Sequence, residues 1–345
     1  RELFESGYKI NFFNKINTKT TSCDILILVS KPVLNILKEK NPIIGENDLT
    51  ALFLKNVRKN TSKVIWLDNS DSTSVTHFEL LPYVDLYLKK HLFKDKSLYS
   101  KNYVGGRIFT DYYHHNFNVK DNYPFTQFFP LKQKYYDKVD LAWNIGLGDM
   151  YNSFTKMNHL RRFIPSIIPF KYNSNYFSPK SRKQRDFFLK TSTNLSRKLI
   201  AFHRLELISS LSKIMKKNNL NGILQGPKLT TKLYRKKLSQ SKIIPSPFGW
   251  GELGVRDYEA FIFGGLLLKP DISHMETWPS IFIEDETYKP IKWDFSDLEE
   301  KVLYLLSNDK ERIRIASNGQ EAYRESISKK GMSLFVDWFV QQVEK

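Results

Sequence analysis

The sequence predicts an α/β protein of two parallel-sheet domains. Three observations predict it. Short, continuous apolar runs recur with helical stretches between them, as buried parallel strands do: DILILVS at 24–30, VIWLD at 64–68, DFFLKTST at 186–193, GILQG at 222–226 and then LLLKP. The chain has 345 residues, enough for two separate cores. A stretch mixing Pro, Ser, Asn and Lys, 166–184, has the composition of a connection between them.

The elements follow in order. In the first domain, 1–165, DILILVS is the opening strand. VIWLD is the next, ending at Asp68 with NSDST after it. A helix is expected near 76–82, then VDLYLKKHLF with its Lys pair, then a strand-to-loop transition at DLAWNIGLGD, 140–149. Strands separated by helical stretches make βαβ units, so this domain is Rossmann-like. The second domain, 185–325, opens with DFFLKTST and a long helix, SRKLIAFHRLELISSLSKIMKK. Leu199, Phe202, Leu205, Ile208 and Leu211 are read as its apolar stripe. Strand GILQG, helix YRKKLSQ and SKIIPSPFG come next. The last segment, 326–345, contains MSLFVDWFVQQVEK, an amphipathic helix.

An apolar content of 41% and an aromatic content of 14% argue for a globular chain. The single cysteine, Cys23, permits no internal disulfide and fits a reducing compartment. The start, RELFESGYKINFF, lacks the apolar core of a secretory signal, and the longest apolar run, AFIFGGLLL, is about half the length of a membrane span. A cytoplasmic protein is expected, at most peripheral to the inner face of a membrane. The net charge of +18 has three readings: a Lys-rich composition, attraction to anionic ligands or an anionic bilayer, or nucleic acid. The basic runs KSRKQR and LYRKK match no nucleic-acid module, which disfavours the third. No G-x-S-x-G and no G-x-x-x-x-G-K-[ST] occurs, so serine hydrolase and P-loop readings fall away. No D-x-D stands at a strand end and no His or Cys pair has zinc spacing; no metal is expected.

The chemistry concentrates between Ser246 and Trp293. A loop carries Gly249, Gly251 and Gly254. Arg256 and Glu259 follow at helical spacing, and Gly264-Gly265 ends the helix before LLLKP. A glycine loop feeding a helix start suits phosphate: its backbone approaches closely and the first helical N–H groups are unpaired. A carboxylate one turn further in can reach a ribose hydroxyl. Together these would hold a nucleotide diphosphate.

This segment resembles the donor-binding half of GT-B glycosyltransferases, above all the group-1 type, with R-x-x-E-A before a small-residue turn and a strand; exostosin-like transferases share the outline. The tail DFSDLEEKVLYLLSNDKERIRIASNGQEAYRE, with its R-x-x-I-A-x-x-G, is similar to the end of that domain. The resemblance covers residues 185–325. It implies two Rossmann-like domains across a central cleft, the second holding a nucleotide-sugar donor and the first an acceptor. It implies transfer to a hydroxyl of a glycan or lipid-linked saccharide, as in surface polysaccharide synthesis. The nucleotide-sugar would be a co-substrate, with no other cofactor and no metal, and the final helix would cross back onto the first domain. Many retaining members carry two glutamates eight apart. Here Glu252 and Glu259 are seven apart and Gly251 stands eight back, so the stereochemistry stays open.

The donor set is Gly249, Gly251, Glu252, Arg256, Glu259, Lys269, His274, Thr277, Arg204 and Lys228. Glu259 takes the ribose by resemblance; its alternative is a surface pair with Arg256. Arg256 can bind two phosphate oxygens and stabilise a leaving diphosphate, and His274 can donate to a phosphate. For the acceptor side, Asp68 and Asp71 follow a strand. Asp71 is the candidate base if the reaction inverts, or caps the next helix. Arg107, Asp111 and His114 can meet an acceptor, and Tyr112 and Tyr113 can stack on a sugar or belong to the core. Two other classes remain open: a non-catalytic nucleotide- or sugar-binding protein of this fold, and a basic nucleic-acid-binding protein.

Overall fold

The computed structural model describes residues 7–13, 22–40, 46–122, 127–147, 150 and 175–345. Gly148 and Asp149 of the predicted glycine loop, and 166–174 of the predicted connection, lie outside the described residues.

The first half contains β1 (Cys23–Val29), α1 (Ser30–Lys40), α2 (Glu46–Val57), β2 (Thr61–Asp68), β3 (Leu86–Lys89), β4 (Leu92–Phe93), α3 (Ile108–Phe117) and β5 (Val139–Leu141). Strands β1, β2, β3 and β5 form one parallel sheet in that order. The helix expected near 76–82 is instead a 3-10 helix, Phe78–Tyr83, with Pro82 inside it. Proline supplies no N–H for a helical bond and clashes with the preceding turn, so the segment stays short. VDLYLKKHLF divides into β3 and β4, the latter pairing antiparallel with β10 (Met275–Glu276) of the second half.

The second half contains β6 (Arg185–Leu189), α4 (Lys198–Lys217), β7 (Gly222–Leu224), α5 (Thr231–Ser239), β8 (Ser241–Pro245), α6 (Val255–Phe263), β9 (Leu266–Pro270) and β11 (Lys289–Ile291). Three helices close the chain: α7 (Leu298–Ser307), α8 (Asp309–Ser326) and α9 (Lys329–Glu344). The sheet runs β7-β6-β8-β9-β11, all parallel. Successive strand side chains serve opposite layers. Phe187, Ile243, Leu266 and Leu268 pack with α4, α7 and α8, while Phe188, Ile244 and Leu267 pack with α5 and α6. Gly264 ends α6 at φ +65°, a left-handed turn that glycine adopts without steric cost.

On α4 the expected stripe is displaced. Leu205 is 51% exposed, and the buried positions are Leu199, Ile200, His203, Leu207, Leu211 and Ile214. Repeated steps of three drift around a 3.6-residue helix, whereas from Ile200 to Ile214 the true stripe mixes threes and fours and includes a histidine.

Two elements cross between the halves. Phe109 and Tyr113 of α3 enter the second core beside Leu199, Ile200 and Phe248. Helix α9 returns to the first sheet, where Val343 is buried with Ile65, Leu67, Leu86 and Leu88 and Phe339 packs against them. Lys63 Nζ donates to the Val343 carbonyl at 2.6 Å, and Lys345 pairs with Asp140 at 2.6 Å.

Candidate functional site

A cavity of about 1350 Å³ opens at the C-terminal ends of β6, β7 and β8. Its position follows from topology. From β6 the chain steps to β7 on one side, then returns past β6 to β8 on the other, a 2-1-3-4-5 order. The loops after β6 and β8 therefore diverge and leave a crevice where open α/β sheets hold ligands. Lys190, Thr191 and Ser192 supply one wall; Ser246, Pro247 and Gly249 supply the other; α6 starts between them with Gly254 and Val255.

The cavity is basic, with one carboxylate set deep in it. Arg256 and Glu259 lie one turn apart on α6, and both line the cavity. Glu259 accepts a hydrogen bond from Tyr234 Oη at 2.8 Å. Burial raises its carboxyl pKa and outweighs the opposing pull of Tyr234 and Arg256. Arg256 donates to the Lys190 carbonyl. Arg204 donates from Nε to the Phe248 carbonyl at 3.0 Å and from Nη1 to that of Ser192 at 2.7 Å. Burial and the neighbouring Arg256 bring its guanidinium down to about 10, so it stays charged at neutral pH. Lys190 Nζ bonds the carbonyls of Gly226 and Pro227, tying the loop after β6 to the loop after β7. Lys228 is exposed on the cavity rim.

Of the donor set, Arg204, Lys228, Gly249, Arg256 and Glu259 line this cavity. The other five lie in or behind the seam between the halves. Gly251 rests on the Asp71–Ser72 backbone. Glu252 is buried there, accepting from Ser72 Oγ and Thr73 N–H, both at 3.0 Å. His274 Nε2 stands 3.8 Å from Glu252, beyond hydrogen-bond reach, with its ring against Phe93 and Trp293. Thr277 Oγ1 accepts from Asn144 Nδ2 across the seam at 2.9 Å. Lys269 is buried on the Glu252 carbonyl and on Asp257 Oδ2 at 3.2 Å.

Two expected outcomes arise here. Lys269→Met leaves the buried Asp257 carboxylate without its cation, and urea unfolding should show a loss of about 3–5 kcal/mol. For Glu252, burial alone would raise the carboxyl; the His274 and His91 rings and the Thr73 N–H outweigh it and bring it to about 2, below the ordinary 4.5. A depressed carboxyl stabilises the fold in full above its unfolded value, and that stability is lost as pH falls through the folded one. Unfolding measured from pH 4.5 down to pH 2 should therefore fall less steeply in Glu252→Gln than in the wild type.

The first-half candidates sit as follows. Asp68 is fully buried and accepts from Tyr87 Oη at 2.6 Å, Lys89 Nζ at 3.2 Å and the Ser70 N–H. Burial opposes its charge, but Lys89, His77 and these donors hold the carboxyl far below its usual range. Asp71 is accessible and paired to Lys31 at 3.0 Å and Lys90 at 3.3 Å. Burial raises its carboxyl, the two lysines outweigh that, and the net shift is downward. Arg107 donates to the Trp250 carbonyl at 2.8 Å and lies over the Trp250 ring. Asp111 accepts from the Val104 N–H, and His114 bonds the Val119 carbonyl, both within the local turn. Tyr113 is core; Tyr112 packs edge-on against Trp293.

Several cavity residues were not singled out from the sequence: Lys190, Thr191, Ser192, Gln225, Tyr234 and Arg235. The signal for the first three was present, because DFFLKTST was read as a strand running into a loop and such loops line ligand crevices. Tyr234 carried no signal, since its role depends on α5 packing beside α6.

No protein-family model matches the sequence, and no curated protein matches it. Solved structures do resemble the chain. One is HepE of Anabaena in complex with UDP, at a TM-score of 0.42 and 9% identity, covering 94% of this chain and 80% of that one. Another is a UDP-forming α,α-trehalose-phosphate synthase from Burkholderia xenovorans, at a TM-score of 0.48 and 11% identity, covering 93% and 74%. A third is an α-glucosyltransferase in complex with UDP and a 13-mer DNA, at a TM-score of 0.46 and 11% identity, covering 94% and 81%. The strand orders of this chain define its class as α/β, with two parallel sheets: the first in sequential order β1-β2-β3-β5, the second in the 2-1-3-4-5 order of a doubly wound sheet.

Proposed function

We propose that this protein is a glycosyltransferase that moves a sugar from a nucleotide-sugar donor to a hydroxyl of a glycan or lipid-linked saccharide. The observation that carries this reading is the cavity at the β6/β8 switch point, where Arg204, Arg256, Lys190 and Lys228 surround the start of α6 and Glu259 lies one turn in. In this reading the diphosphate lies against the first turn of α6, within reach of the guanidinium groups, and Glu259 takes the ribose hydroxyls. As the sugar bond breaks, negative charge grows on the departing phosphate, and preorganised cations stabilise it without a divalent ion or a further cofactor. Asp71 is the proposed acceptor base for an inverting transfer. Its low-lying carboxyl is a weak base, so it would take the proton only as the glycosidic bond forms. A net charge of +18 supports an acidic acceptor, of the kind found in surface polysaccharide, and work beside an anionic membrane on the cytoplasmic side. No described helix is long and apolar enough to cross a membrane.

The test is thermal stabilisation by UDP-, GDP-, dTDP- and CMP-sugars, with Glu259→Ala beside the wild type. One nucleotide class should raise the melting temperature of the wild type by mass action, with affinity reduced about 10-fold in Glu259→Ala. No shift with any of the four, in folded protein, overturns the donor reading. Binding without turnover on any acceptor would instead make the chain a non-catalytic binder of the same fold.

A further inference from the structure

The backbone of Phe248, which leads into Gly249 at the cavity wall, is held at both its N–H and its carbonyl by consecutive residues of α4. Its carbonyl accepts from Arg204 Nε at 3.0 Å, and its N–H donates to His203 Nε2 at 2.9 Å. His203 is fully buried, its ring stacked on that of Phe248 with centroids 5.2 Å apart. A backbone N–H can only donate, so Nε2 must present its lone pair. The second ring nitrogen, Nδ1, lies 2.7 Å from Tyr113 Oη, and Tyr113 Oη lies 2.5 Å from the Trp293 carbonyl. A carbonyl can only accept, so the tyrosine proton points to Trp293 and Nδ1 must carry the imidazole proton. Every proton in the chain is then assigned: Phe248 N–H to Nε2, Nδ1–H to Tyr113, Tyr113 O–H to Trp293. A second ring proton would face the Phe248 N–H. The site therefore holds the neutral ring, and burial with Arg204 alongside, lowering the imidazole to about 3, agrees.

We infer that His203, as its Nδ1–H tautomer, is a positioning residue for the donor. It acts through the Pro247–Phe248 peptide, whose N–H it accepts, and links that peptide to α3, which carries Tyr113. This rests on the nucleotide-sugar reading of the cavity. Gly249 N–H closes the loop on the Gly251 carbonyl at 2.9 Å and Arg107 holds the Trp250 carbonyl, while Phe248, where the loop leaves the wall, is fixed to α4 by one acceptor and one donor. Nothing in the sequence marks the histidine, which falls on the buried face of an amphipathic helix.

The test has two parts. Imidazole 15N NMR of the full chain should show His203 as the Nδ1–H tautomer, unchanged from about pH 5 to pH 8. An Nε2–H or protonated ring overturns the proposal whatever the protein binds. Donor affinity is then measured by calorimetry on His203→Phe and His203→Gln with the nucleotide-sugar that stabilises the wild type, at a temperature where all three are folded. The phenylalanine variant should weaken binding about 10-fold, and glutamine, whose amide oxygen can accept from Phe248, should recover it to within about 3-fold. A purely structural histidine would lower the melting temperature of both variants and leave donor affinity unchanged, and that result overturns the proposal. If the phenylalanine variant does not fold, Tyr113→Phe removes only the outer link. It should weaken donor binding about 3-fold while the Phe248 N–H still holds the Nδ1–H tautomer; unchanged affinity or an Nε2–H ring overturns the inference. Wild type that binds none of the four nucleotide-sugars overturns the functional reading together with this one. Wild-type binding with equal affinity in His203→Phe overturns this one alone.

Discussion

Gly251→Ala is expected to be among the most destabilising single substitutions in the chain. A Cβ at this position would lie 1.6 Å from the Asp71 carbonyl oxygen and 2.2 Å from its carbon. The atoms in the way are backbone at the C-terminal edge of the first sheet, so no rotamer change can relieve the overlap. Either the loop carrying Phe248, Gly249 and Trp250 is pushed back towards the cavity or the seam opens. Opening it pulls Glu252 away from Ser72 and Thr73 and leaves a buried carboxylate without donors. Urea unfolding should show a loss of at least about 3 kcal/mol. Gly254→Ala is the internal control. Nothing lies within 4 Å of the added carbon there, and stability should stay within about 0.5 kcal/mol of the wild type.

Arg256→Ala should have the largest effect on turnover. The guanidinium lines the cavity on the first turns of α6 and is held by the Lys190 carbonyl. If it meets the departing diphosphate, its removal should cost about 100- to 1000-fold in kcat/KM while leaving the fold intact. Lysine should not restore the rate, because a point charge cannot make the paired contacts of a planar fork. Steady-state kinetics with the donor found by thermal stabilisation would check both. A variant as active as the wild type would remove Arg256 from the transition state.

The parallel-strand architecture was legible because each strand is buried on both faces and so reads as a continuous apolar run; LLLKP and VIWLD need no partner to be recognised. That Glu259, Arg256 and Gly249 come together in one cavity was legible for a related reason: loop, helix start and carboxylate are contiguous in sequence. What failed to show was whatever depends on contact between distant segments. Gly251 and Glu252 look like donor-loop residues in sequence, and only the approach of residues 71–73, some 180 positions earlier, turns them to the seam. Lys269, read as a donor contact, and Asp68, read as an acceptor-side carboxylate, are instead held in interior ion pairs. On α4, a stripe drawn in steps of three left out His203, because apolar patterning passes over a buried polar side chain satisfied at both ends.

The exchange of α3 and α9 between the halves bears on how the chain reaches its native state. Neither sheet completes its own cover: Phe109 and Tyr113 fill a space in the second core, and Val343 and Phe339 close a face of the first. Either half made alone would expose an apolar surface that the other normally covers, and should be prone to self-association. The intact chain should then melt as one cooperative unit in calorimetry, despite having two sheets, because loss of either core strips a helix from the other.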